Sequence, residues 1–145
     1  MTQDRAIEAR TVRRPVVVAA LGTTQTLAWG SSYYLPAILA DDMAAGTGVS
    51  RVWVFAAFSA SLLLTAVLGP VVGRTIDRRG GSAVLVASNV VLAAGLVALS
   101  LCVSIVGLMA AWAVVGVGMA LGLYDAAFAT LAGIYGREEI GRAHV

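Results

Sequence analysis

Residues 52–73 read VWVFAAFSASLLLTAVLGPVVG, and no side chain in this run is charged. A helix of about 20 residues, rising roughly 1.5 Å per residue, crosses a hydrocarbon core of about 30 Å. The run of 22 residues between Arg51 and Arg74 is therefore long enough to span a membrane. A second charge-free run, residues 15–40, has 26 residues and meets the same condition.

The longest charge-free run, from Gly80 to Tyr124, has 45 residues. As one helix it would measure on the order of 68 Å, more than twice the thickness of the core, so we expect it to turn back near residues 104–107. Backbone amides have no water partners in lipid, which favours helices even in valine-rich segments. The sequence thus predicts an all-α, polytopic membrane protein with four transmembrane helices, at about residues 15–40, 52–73, 83–103 and 108–134.

The composition agrees with a membrane protein and excludes several other classes. Of the 145 residues, 59% are hydrophobic and 12% are charged, whereas soluble domains average about 25% charged residues. The ten basic residues are all arginines at segment ends, without the basic stripe that a nucleic-acid surface needs. The sequence contains no nucleophile and base pair, metal-ligand cluster or dinucleotide fingerprint, so it predicts no enzyme, no cofactor and no metal.

The placement of arginines predicts how the helices are oriented. Four arginines precede the first run, one separates the first two runs, three lie between the second and third, and none separates the last two predicted helices. By the positive-inside rule, the segment 1–14 and the loop 74–81 are cytoplasmic, in a protein of the inner membrane. We interpret the first run as a retained helix, because the core of a cleaved signal peptide has only about 7 to 15 residues.

The loop after the second run carries the most specific motif in the chain: Gly73, three residues, Asp77, Arg78, one residue and Gly80. Physically, Gly73 permits a neighbouring backbone to come close, Asp77 can accept hydrogen bonds from a helix start, and Gly80 permits a tight turn. Composition alone favours a plain, positively charged loop. The spacing, however, resembles the signature that the major facilitator superfamily carries between its second and third helices, which is where the arginine count places it.

The resemblance implies a fold of twelve helices in two halves, of which residues 15–136 are the first third and an incomplete amino-terminal half. It implies a secondary transporter, ion-coupled or facilitative, that moves a small solute by alternating access. Gly73, Asp77, Arg78 and Gly80 would then act as a conformational gate between the halves. The expected partners are the lipid bilayer, the solute and the missing carboxyl-terminal helices.

Two sets of residues inside the predicted spans are candidates for contact with the solute. Gln25, Trp29 and Ser32 recur at helical spacing on one face of helix 1, and the resemblance implies that helices 1 and 4 line a central cavity. Asp125 is the only acid inside a predicted span, where a carboxylate is costly unless it is paired, hydrated or protonated. The alternatives are packing for Trp29 and, for Asp125, pairing with an arginine of an absent helix or reaching the inner membrane interface.

The end of the chain and the overall role each have a second interpretation. Residues 137–145 form a polar tail, in which residues 139–145 (EIGRAHV) resemble translated sequencing-adapter DNA, so we expect an artefact there rather than a natural tail. The alternative to a transporter is a small four-helix membrane protein that serves as an assembly partner without transport.

Overall fold

The computed structural model describes residues 2–122, 126 and 130. These residues form helices and their connections, without a β-strand, which confirms the all-α prediction. In chain order the helices are α1 (Thr2–Ser32), α2 (Leu35–Thr47), α3 (Arg51–Arg79), α4 (Gly81–Leu101) and α5 (Ile105–Gly122), and Ala126 and Thr130 are also helical.

Three helices of the described part, α3, α4 and α5, are long and apolar enough to cross a membrane. Such helices indicate a membrane-embedded protein, as the sequence predicts. α1 is also long but less apolar, because its first half carries six charged residues and residues 23–26 (TTQT), Ser31 and Ser32 add polar groups to its second half. The fourth span, through residues 15–40, therefore stays a prediction.

The predicted helix over residues 15–40 is broken in the structure between α1 and α2. The backbone N–H groups of Tyr33 and Tyr34 both donate to the carbonyl oxygen of Trp29, at 3.0 and 3.3 Å. Pro36 favours the break, because a proline inside a helix lacks the N–H for the helical bond and its ring collides with the carbonyl four residues earlier, although α3 continues through Pro70. In the first turn of α2 the same proline is tolerated. After the break, α2 packs mainly against α3.

α3 ends later than the predicted span, at Arg79 rather than at residue 73. The segment 74–81, predicted as a loop, is thus mostly helical. Gly80 alone joins α3 to α4, with a φ of 81° and a ψ of 153°. This backbone conformation is open almost only to glycine, so Gly80 sets the point at which the chain leaves α3.

The chain reverses between α4 and α5 at residues 102–104. Ser104 caps the new helix, because its Oγ accepts a hydrogen bond from the N–H of Gly107 at 3.2 Å. The reversal adjoins the predicted one at residues 104–107 and divides the long apolar run into two helices that pack on each other.

α5 lies at the centre of the helix packing, against both α3 and α4. Glycines make these contacts close. A Cβ added to Gly116 would lie 2.7 Å from the carbonyl oxygen of Ser61 in α3, and a Cβ added to Gly95 of α4 would lie 2.7 Å from Cγ2 of Val115. Small residues thus let backbones approach one another, as is common between membrane helices.

Two hydroxyl groups cross the same interfaces. The single hydroxyl hydrogen of Thr65 in α3 is shared between the carbonyl oxygens of Gly116 in α5 and of Ser61 in its own helix, both at 2.9 Å, and Ser88 of α4 donates to the carbonyl oxygen of Gly118 at 2.8 Å. Both acceptors belong to the glycine-rich part of α5, where no side chain shields the carbonyl. α5 is therefore held to each neighbour by close packing and by a hydrogen bond.

Candidate functional site

Gln25 places a side-chain amide between α1 and α5. It is half-buried, and its Nε2 donates to the carbonyl oxygen of Gly122 at 2.8 Å. Its Oε1 is buried and has no hydrogen-bond partner among the described residues. An unpaired amide oxygen is costly in a buried position, so this atom would gain a hydrogen bond if the side chain turned toward a molecule that brings a donor.

A cavity of about 460 Å³ opens beside this amide. We call it the α1 cavity, and it is lined by Gln25, Thr26, Trp29, Gly30 and Tyr34. The volume is in the range of small-molecule sites, about 300 to 1,000 Å³. The lining combines an amide, hydroxyl groups and two aromatic rings, and it contains no charged side chain. This surface suits a molecule with a hydrogen-bond donor and an apolar or aromatic portion.

Aromatic contacts connect the wall of the α1 cavity to the core. The ring centroids of Trp29 and Tyr33 lie 5.2 Å apart. Tyr33 meets Phe58 of α3 edge-on at 5.6 Å, and Phe58 meets Trp112 of α5 at 5.2 Å. Trp112 is fully buried, so the row begins at the cavity and ends in the core. Such ring pairs add roughly 0.5 to 1.5 kcal/mol each beyond their buried area and restrain the Trp29 ring.

Ser32, which helical spacing groups with Gln25 and Trp29, lies elsewhere. Its side chain is fully buried, and its Oγ donates to the carbonyl oxygen of Ala28 at 2.5 Å. Of the residues predicted to contact the solute, the structure therefore brings Gln25 and Trp29 together at the α1 cavity. Asp125 lies outside the described residues.

Thr26, Gly30 and Tyr34 line the α1 cavity although the sequence pattern does not single them out as cavity residues. They recur at intervals of four, which is a helical signal beside the stripe that contains Gln25 and Trp29. Their residue types, however, favour other roles: small residues favour helix packing, and a tyrosine near a span end favours anchoring at the membrane surface. The spacing of these three residues therefore indicates a shared helix face, but their residue types do not indicate a cavity.

The residues of the predicted gate lie in the carboxyl-terminal part of α3 or directly after it. Asp77 and Arg78 are exposed in its last turns, and Gly80 makes the connection to α4. No side chain caps the start of α4 in the described part, so the expected hydrogen bonds from this helix start to Asp77 are not formed. A Cβ added to Gly73 meets nothing within 4 Å in the same part of the chain, so Gly73 faces open space rather than a neighbouring helix.

Neither a protein-family model, nor a curated protein, nor a solved structure shows significant similarity to this chain. Among residues 2–122, 126 and 130, no group of three or more histidine, cysteine, aspartate or glutamate side chains could hold a metal ion. The α1 cavity and the charged end of α3 hold the described residues that the sequence singles out for function.

Proposed function

We propose that this chain is part of a secondary transporter of the major facilitator type, which moves a small solute across the inner membrane by alternating access. The observation that carries the proposal is Gln25, whose side chain lines the α1 cavity and whose buried Oε1 has no partner among the described residues. Polar groups inside apolar helices are costly, and they commonly mark solute or ion pathways. The spacing of glycine, aspartate and arginine in residues 73–80 supports the same family.

Gln25 and the aromatic rings contact different parts of the solute. Nε2 of Gln25 is engaged by Gly122, so Oε1 accepts the hydrogen bond that the solute donates. Trp29 and Tyr34 pack against the apolar part of the solute, and their ring faces also attract a cationic group. Asp125, in the predicted fourth helix, is a further candidate for holding such a group or a coupling proton.

The hydrogen bond from Gln25 to Gly122 links solute contact to helix packing. A solute that draws the amide toward the cavity weakens its bond to α5, and α1 is then freer to shift against α5. Interhelical hydrogen bonds in membranes are worth roughly 0.6 kcal/mol on average, so the exchange of this bond needs little free energy.

The proposal includes a fourth membrane span at residues 15–40, where α1, the break and the start of α2 follow one another. The arginine count then places residues 1–14 and 74–81 on the cytoplasmic side. In this arrangement Asp77 and Arg78 lie at the cytoplasmic rim, and the open space beside Gly73 leaves room for a helix of the other half to approach.

Cysteine accessibility tests the proposal without knowledge of the solute. Cys102, the single cysteine, is replaced by alanine, and cysteines are introduced one at a time at Thr26 and Tyr34 in the α1 cavity and at Leu27 as the control. Leu27 adjoins Thr26 but is outside the cavity lining, and it is 67% exposed. The protein encoded by the natural gene is then treated with a membrane-impermeant maleimide in right-side-out and in inverted vesicles.

We expect Thr26→Cys and Tyr34→Cys to react several-fold faster than Leu27→Cys, because thiols react in water and not in lipid. Alternating access further predicts that the reagent reaches the cavity positions from both sides of the membrane. Equally slow reaction at all three positions would refute a hydrated solute path and would favour the alternative of a small membrane protein with an assembly role.

A further inference from the structure

A second cavity, between α2 and α4, differs in character from the α1 cavity. It has a volume of about 330 Å³. Leu39 and Met43 of α2 and Leu96 and Leu99 of α4 form its apolar walls. Leu99 belongs to the buried core, and Met43 and Leu96 pack against that core, so most of the wall is fixed by the fold.

The side chains of this cavity offer hydrogen-bond acceptors but no free donors. The hydroxyl of Thr47 donates to a backbone carbonyl of its own helix at 2.6 Å, and the hydroxyl of Ser100 does the same at 2.7 Å. The thiol of Cys102 donates to the carbonyl of Leu99 at 3.0 Å. Each of these groups has a single hydrogen, so only its lone pairs remain for a bound molecule.

Asp42 adds one negative charge to this lining. It is exposed, and no basic residue lines the cavity. The neighbouring Asp41, in contrast, is not part of the lining and pairs with Arg51 at 3.3 Å. The cavity therefore combines apolar walls with a carboxylate and acceptor atoms.

We propose that the cavity between α2 and α4 binds a primary alkylammonium ion, an organic cation with an apolar chain. The ammonium group supplies a positive charge and three N–H donors, which complement Asp42 and the hydroxyl oxygens. The alkyl chain packs between the leucine and methionine side chains of the walls. A phospholipid is a poorer match, because its phosphate would meet a carboxylate and no side-chain donor. The site is separate from the α1 cavity and does not depend on the transport proposal.

Equilibrium binding of radiolabelled hexylammonium to the protein in phosphatidylcholine nanodiscs tests this proposal. Phosphatidylcholine is chosen because it has no primary amine. We expect saturable binding that excess unlabelled hexylammonium displaces, while hexanol and hexanoate, which keep the chain but lack the positive charge, displace it poorly. Absence of saturable binding, or equal displacement by hexanol, would overturn the proposal. Displacement by phosphatidylethanolamine added to the nanodiscs would identify a lipid as the occupant and would overturn it as well.

Asp42→Asn and Asp41→Asn form a matched pair of variants. Both residues are exposed neighbours on α2, and each substitution removes one charge, but only Asp42 lines the cavity. We expect Asp42→Asn to weaken hexylammonium binding roughly two- to fivefold, the range for an exposed charge pair, and Asp41→Asn to leave it unchanged. Equal weakening by both variants would show a general attraction to a negative surface and would contradict a site at Asp42.

Gly46→Phe tests the location of the site. Gly46 belongs to the lining, and a Cβ added there meets nothing within 4 Å, so the position accepts a side chain whose ring would take up space in the cavity. We expect this variant to lose hexylammonium binding, and unchanged binding would place the cation elsewhere. Cys102 gives an independent readout, because bound hexylammonium should slow its alkylation in the wild type but not in Gly46→Phe. Saturable binding without such protection would also contradict the assigned site.

Discussion

Replacement of Gly116 by alanine places a methyl group where α5 and α3 are in backbone contact. The added Cβ would lie 2.7 Å from the carbonyl oxygen of Ser61 and 3.1 Å from its Cα, and backbone atoms cannot move aside as a flexible side chain can. Overpacking of this kind typically costs about 1–3 kcal/mol. Separation of the helices also weakens the hydrogen bond from Thr65 to Gly116, worth roughly 0.6 kcal/mol, but the better helix propensity of alanine offsets this loss. We expect Gly116→Ala to lower the free energy of unfolding by about 1–3 kcal/mol.

Gly22→Ala is the matched control for this measurement. Gly22 is also a glycine within a helix, but a Cβ added there meets nothing within 4 Å, so helix propensity acts alone and favours alanine by roughly 0.5–1 kcal/mol. The free energy of unfolding is measured for both variants by equilibrium SDS titration in mixed micelles, followed by tryptophan fluorescence. If Gly116→Ala proves as stable as Gly22→Ala, α3 and α5 are not in close backbone contact, and the central position of α5 in the helix packing is refuted.

Three further variants test the connection, the packing and the site. Gly80→Ala should destabilise the protein by about 1–3 kcal/mol in the SDS titration, because the backbone conformation of Gly80 is nearly restricted to glycine. Gly73→Ala is the control and should not destabilise it. Equal stability of the two variants would contradict the turn at Gly80. Ser88→Ala removes the hydrogen bond to Gly118 and should lower the free energy of unfolding by roughly 0.6 kcal/mol. A decrease above about 2 kcal/mol would show that Ser88 contributes more than one hydrogen bond. Gln25→Leu should weaken the apparent solute affinity of the full transporter about fivefold in uptake assays, and unchanged affinity would remove Gln25 from the solute path.

The helical fold could be predicted from the apolar runs because lipid leaves the backbone no partner other than itself. The ends of the helices could not be predicted from charge. An arginine marks the edge of an apolar run, but it does not end backbone hydrogen bonding. α3 continues through Arg74 to Arg79, since arginine is a good helix former and a cation is favourable in a last helical turn. Gly80, rather than the first arginine, ends this helix.

The lining of the candidate site could be predicted only in part. Helical spacing groups Gln25, Trp29 and Ser32; of these, Gln25 and Trp29 line the α1 cavity, whereas Ser32, still within α1, is fully buried. After Ser32 the helix breaks, and the N–H of Tyr34 donates to a carbonyl five residues earlier, but Tyr34 still lines the cavity with Thr26 and Gly30. Pro36 is an ambiguous signal because membrane helices often tolerate proline. The partner of Gln25 lies 97 residues away in the chain, and helical spacing contains no information about it.

Three carbonyl oxygens of α5, all of glycines, accept side-chain hydrogen bonds from three different helices. Thr65 of α3 donates to Gly116, Ser88 of α4 donates to Gly118, and Gln25 of α1 donates to Gly122. The first two bonds lie within close backbone packing, which opposes any shift of α3 or α4 against α5. The bond from Gln25 lies beside a cavity, and among the described residues α1 otherwise meets the bundle mainly through Ala28 in the core and Leu21 against the second apolar cluster, so α1 is packed less closely on α5 than α3 and α4 are. If the chain belongs to a transporter as proposed, α1 is therefore the helix expected to move, against a unit of α3, α4 and α5 that moves as one body.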